Sequence, residues 1–125
     1  MRPRFLVIPG LAAALVAVVA LLIRNQPPTP PASRVTAPAV VSGHATIPIS
    51  NYDFTPKALT VNVGTRVTWT NHDATAHTAT ADQGGFDTGT IQPNASRTID
   101  FTRPGTYTYH CAFHAFMTAT ITVKR

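Results

Sequence analysis

From His44 onward, apolar residues return at every second position in short runs, each cut off by glycine or proline. A helix needs apolar residues three and four apart, so these runs can only be strands with one buried face. ALTVNVG sets Leu59, Val61 and Val63 against Thr60 and Asn62. TRVTWTN sets Val67 and Trp69 against Thr68 and Thr70. RTIDF turns Ile99 and Phe101 inward, and TYTYHC does the same for Tyr107, Tyr109 and Cys111. MTATITV places Met117, Ala119, Ile121 and Val123 on one face and threonines on the other. VGT, DQGG and RPGT supply turns. About seven short strands over residues 44–125 predict an all-β domain, a small Greek-key β-sandwich, with Trp69, Phe54 and Phe86 in its core.

The segment before His44 cannot belong to that pattern. FLVIPGLAAALVAVVALLI, Phe5 to Ile23, is an uncharged run of nineteen residues. As a helix it would span about 28 Å, the thickness of a bilayer core. Arg2 and Arg4 precede it, which keeps the N-terminus cytoplasmic. Residues 1–23 read as a signal peptide or a retained signal anchor. The length of the run and the lack of a small-residue cleavage pattern at Ile23-Arg24-Asn25 favour the anchor. Residues 24–43 hold five prolines and read as an extended linker reaching up to roughly 60 Å. Residues 44–125 are the folded domain. On this reading the domain lies in the periplasm or another extracytoplasmic space, tied to the membrane through residues 5–23.

The net charge of +5 comes largely from the front segment. From His44 onward six cations meet five acids, all of them Asp, and no basic run is interleaved with aromatics. Nucleic acid is therefore not an expected partner. A single cysteine excludes an internal disulfide.

That cysteine lies in YHCAFHAFM, which also holds two of the five histidines and one of the two methionines. Cys111, His114 and Met117 are each three apart. In an extended strand such residues point to opposite faces about 10 Å apart and cannot share an ion. In a tight loop closed by two strands they can, and the parity of the flanking strands sends both sulfur atoms toward one end of the sandwich interior. A fourth ligand must come from His44, His72, His77 or His110. His110 follows the opposite parity to Cys111, His44 sits at the linker junction, and His72 has outward parity. His77, opening HTATA after a polar loop, is the residue best placed.

Two imidazoles, a thiolate and a weak axial thioether match a blue, or type 1, copper site. Zinc sites prefer nitrogen, thiolate and carboxylate, so the thioether argues against zinc. A Cys–His nucleophile pair lacks an orienting third group. Every position is filled by protein, unlike a catalytic metal site. A multicopper oxidase or nitrite reductase would need H-x-H patterns that this chain lacks.

NHDATAHTAT, FDTGTI, TVNVGTRVTWTN and PGTYTYHCAFHAFMTATITV resemble the cupredoxins of the plastocyanin-like group, and most of all the amicyanins. The resemblance covers nearly all of residues 44–125. It implies copper ligands His77, Cys111, His114 and Met117, and a role for Asn71 in locking the ligand loop. Amicyanins carry prolines in this loop, where Ala112, Phe113 and Ala115 stand here. The expected function is one-electron transport, with no enzymatic turnover. The alternative is copper buffering, sensing or delivery. Redox proteins, a cytochrome or a dehydrogenase, are the expected partners, docking on an apolar collar of Phe113 and Phe116 around His114. A monomer is expected.

Overall fold

The computed structural model describes Pro28 and residues 37–125. The expected membrane helix over 1–23 and most of the linker over 24–43 lie outside the described residues. Among the described residues nine strands follow in chain order: β1 Val40–Val41, β2 His44–Ser50, β3 Asp53–Phe54, β4 Ala58–Asn62, β5 Thr65–Asn71, β6 Thr80–Ala81, β7 Ser96–Phe101, β8 Gly105–His110 and β9 Thr118–Lys124. They form two sheets, ordered β1-β4-β9-β8-β6 and β3-β2-β5-β7. The fold is the expected all-β sandwich. It gains its first strand at Val40, inside the stretch read from sequence as linker, where Val40 and Val41 pair in parallel with Thr60 and Val61.

Alternation decides which side chains the sheets share. In β2 and β5, Ala45, Ile47 and Ile49 run in parallel register with Val67, Trp69 and Asn71, and all six are buried. In β8 and β9, Tyr109 lies opposite Ala119, and Ile121 and Val123 continue the same inward face. Each fully buried aliphatic side chain stabilises the fold by about 1.5–3 kcal/mol. The outward threonines suit exposed strand positions. An aromatic cluster fills the space between the sheets: Trp69 stacks on Phe86 at 5.5 Å, and Phe86 meets Phe101 at 5.2 Å. Trp69 Nε1–H donates to the Tyr109 hydroxyl at 3.3 Å, so the buried indole keeps its hydrogen bond.

Val63 departs from the expected inward parity. It is 41 % exposed, because β4 ends at Asn62 and Val63 enters the turn with Gly64. Gly64 takes φ +90°, and its N–H donates to Phe101 O at 2.7 Å. That turn chemistry outranks the alternation. The two-residue strands β3 and β6 carry too little pattern to be read from sequence.

Candidate metal centre

β8 ends at His110 and β9 begins at Thr118, so the intervening loop carries Cys111, His114 and Met117. Its backbone folds on itself. Cys111 N–H donates to Met117 O at 3.1 Å, closing the loop at its base. His114 N–H donates to Cys111 O at 3.3 Å, and Met117 N–H to His114 O at 2.9 Å. The first of these turns brings Cys111 and His114, three apart, onto one side. Cys111 Sγ then lies 3.7 Å from His114 Nδ1. Cys111 and Met117 are buried at 0 % and 1 % exposure, and His114 is half-buried.

His77 arrives from the connection between β5 and β6. Its backbone exchanges two hydrogen bonds with Ile91, at 3.1 and 2.7 Å. Asn71, fully buried at the end of β5, holds the approach: its Nδ2 donates to Thr75 O at 2.8 Å and Ile91 O at 3.0 Å, and its Oδ1 accepts from Asp73 N–H at 2.9 Å. Asn71 thus secures the segment that carries His77. Placed this way, His77 Nδ1 stands 3.7 Å from Cys111 Sγ. The ligand atoms of His77, Cys111 and His114 all lie within 4.8 Å of one another. The other histidines considered go elsewhere: His44 Nε2 bonds the Thr68 hydroxyl, His110 Nδ1 bonds Asp82, and His72 is exposed.

Three further residues shape this site and carry no sequence signal of their own. Thr78 N–H donates to Cys111 Sγ at 3.4 Å, while Thr78 Oγ1 accepts from Ala112 N–H at 2.8 Å. Asp73 Oδ2 accepts from His77 Nε2–H at 2.9 Å. A carboxylate only accepts, so the neutral ring keeps its proton on Nε2 and leaves the Nδ1 lone pair facing Cys111. Burial pushes the Asp73 carboxyl up, but hydrogen bonds from Tyr52 N–H, His77 and Asn51 N–H outweigh it and hold the group below the usual carboxylate range. Tyr52 is the third, its ring set edge-on to both imidazoles, 5.3 Å from His77 and 5.0 Å from His114.

The arrangement fits one metal ion. Nitrogen at about 2.0 Å and sulfur at about 2.3 Å from a shared ion, in a near-trigonal plane, stand about 3.7 Å apart; both observed sulfur–nitrogen separations are 3.7 Å. The donor set, two imidazole nitrogens and a cysteine sulfur, with a buried methionine on the same loop, fits copper. Phe113 and Phe116 flank His114 in the loop and are 55 % and 72 % exposed. Phe116 therefore does not fold back onto the sandwich; it leans toward His114 at 6.0 Å. A cleft of about 370 Å³ beside Gln83, Phe101, Arg103 and Tyr107 includes none of these side chains.

Comparison with known proteins agrees with this fold. The amicyanin of Paracoccus denitrificans is 29 % identical over 100 residues, covering 76 % of each chain. Amicyanin-alpha of Methylorubrum extorquens is 29 % identical over 88 residues, covering 66 % of this chain and 74 % of the relative. The structure of an oxidised amicyanin mutant superposes with a TM-score of 0.61 at 28 % identity, over 66 % of this chain and 83 % of the other. A reduced amicyanin mutant gives a TM-score of 0.58 at 30 % identity over the same shares. The pattern of the cupredoxin-like domain matches residues 12–123, which takes in β1 to β8 and all but the last residue of β9, and the chain belongs to that family.

Proposed function

We propose that His77, Cys111, His114 and Met117 hold one type 1 copper ion and that the protein is a one-electron carrier. The observation that carries this reading is the meeting of a thiol and two imidazoles from separate segments at 3.7 Å spacing, inside a rigid sandwich. When bound, copper supplies a one-electron Cu(I)/Cu(II) couple. The protein's share is to keep the donor set alike in both states. Asp73 fixes the tautomer of His77, Thr78 N–H bonds the Cys111 sulfur, and the loop hydrogen bonds hold His114 and Met117 in place. Cys111, His77 and Met117 are buried, which keeps water away from their part of the site. His114, half-buried and ringed by exposed Phe113 and Phe116, is the side on which a partner can approach.

The partners read as redox proteins, a cytochrome or a dehydrogenase, docking on that apolar collar, and the protein as a monomeric carrier with no substrate of its own. The likeness to the two amicyanins supports the carrier role. Residues 1–23 act as a membrane anchor and the linker from residue 24 up to β1 at Val40 as a stalk, so that the domain works on the extracytoplasmic side. The apolar run after Arg2 and Arg4 supports that placement. Among the described residues no helix is long and apolar enough to cross a membrane.

Electron exchange is the test that separates a carrier from a protein for copper buffering or delivery. NMR line broadening in mixed Cu(I) and Cu(II) samples of the full chain should show fast self-exchange. Exchange too slow to broaden any line would favour the storage role.

A further inference from the structure

The β2–β3 hairpin turns through only Asn51 and Tyr52, and both have left-handed backbones, with φ of 53° and 58°. Asparagine tolerates this region, whereas a bulky side chain crowds its own backbone there. Hairpins of this kind ordinarily place glycine at the second position. A tyrosine in that place needs something to hold it, and Asp73 does so. Its Oδ1 accepts from Asn51 N–H at 2.7 Å and its Oδ2 from Tyr52 N–H at 2.9 Å. That same Oδ2 accepts from His77 Nε2–H. The far end of the ring is pinned as well, with the Tyr52 hydroxyl 3.1 Å from Thr75 Oγ1.

Held in this way, the ring stands nearly perpendicular to both imidazoles, at 86° to His77 and 90° to His114. It also leans over Phe116 at 6.4 Å. The two imidazoles differ in what else restrains them. His77 is fully buried, bonded to Asp73 and paired through its backbone with Ile91. His114 rides on a surface loop, half-buried, its ring bounded by the rings of Tyr52, His77 and Phe116. Removing the Tyr52 ring would therefore loosen His114 far more than His77.

We propose that Tyr52 is a positioning residue of the metal centre, its ring locked in a left-handed turn by Asp73 so that it braces the His114 imidazole against swinging away from Cys111. The consequence for electron exchange rests on the copper reading above; the bracing itself does not. Asp73 becomes a shared node: one carboxylate orients one imidazole directly and holds the turn that braces the other. A strained backbone at a site of this kind is retained for what its side chain does there.

The test compares the full chain with Tyr52→Gly and Tyr52→Phe. Glycine relieves the left-handed strain, so Tyr52→Gly should melt near the parent's temperature while lacking the ring. In the metal-free protein, relaxation of ¹³C-labelled histidine rings should show His114 rigid in the parent and in Tyr52→Phe but mobile in Tyr52→Gly, with His77 rigid in all three. After copper loading, self-exchange should slow by up to about tenfold in Tyr52→Gly, the scale of losing the edge-on contact to His114, and stay near parental in Tyr52→Phe. A His114 ring as rigid in Tyr52→Gly as in the parent overturns the proposal. So does unchanged self-exchange in the copper-loaded Gly variant. If the parent shows no thiolate–copper absorption, the copper reading is what falls, and ring relaxation still decides whether Tyr52 braces His114.

Discussion

Thr78 and Cys111 are tied from both sides of the thiol: the Thr78 backbone N–H donates to Cys111 Sγ at 3.4 Å, and its hydroxyl accepts from the N–H of the next residue, Ala112, at 2.8 Å. A donor aimed at a metal-ligating sulfur draws charge from it and fixes its direction. Thr78→Val keeps the first bond and deletes the second, together with the 3.0 Å bond between the Thr78 and Thr80 hydroxyls. It should cost about 1 kcal/mol of stability, with the thiolate–copper absorption retained. Thermal melts and a visible spectrum of the loaded variant check both parts.

Asn71 makes three hydrogen bonds from a fully buried position, so its removal leaves the carbonyls of Thr75 and Ile91 short of a donor. Asn71→Ala should destabilise the domain by about 2–4 kcal/mol. For a domain of this size each kcal/mol lowers the melting temperature by about 4–8 °C. Calorimetry of the metal-free protein is the measurement.

Tyr109 predicts an alkaline weakness. Burial pushes its phenol well above the ordinary tyrosine range, against a smaller lowering effect of the Trp69 hydrogen bond. Above the unfolded value of about 10, the unfolded chain releases this proton while the folded chain keeps it, so stability falls as pH rises. The slope from this group approaches about 1.4 kcal/mol per pH unit. Denaturant midpoints at pH 9 and pH 11 should diverge in the parent, and Tyr109→Phe should lose most of that difference.

Metal should stabilise the fold, because the His77, Cys111 and His114 ligand atoms converge only in the folded chain. Free copper at about a thousand times its dissociation constant adds about 4 kcal/mol. The melting temperature should rise on loading and return to the metal-free value on chelation. A chain that melts at one temperature with and without copper contradicts the site.

Much of this was legible in the residues themselves. Alternation placed Val67, Trp69, Tyr109, Ile121 and Val123 inward, and each is buried. The spacing of Cys111, His114 and Met117 made sense only as a closed loop, and the loop is closed by Cys111 N–H and Met117 O. Val63 escapes the alternation because a turn glycine, Gly64, outweighs the parity of the strand before it. Tyr52, Asp73 and Thr78 were not readable for a different reason. Tyr52 reaches His77 because β2 and β5 pair in parallel, Ile49 beside Asn71, and bring the β2–β3 turn alongside the residues after Asn71. Nothing local to Tyr52 encodes that register. Nothing local sets Thr78 apart from the chain's other threonines; its contact with Cys111, 33 residues on, depends on the fold.

Titration of the purified, metal-free chain with Cu(II), followed by visible absorption and EPR, tests the central claim most directly. One equivalent should produce an intense visible thiolate–copper band with a narrow copper hyperfine pattern, and Cys111→Ala should abolish the band. A parent protein that takes up copper without that band, or a Cys111→Ala variant that keeps it, contradicts the account.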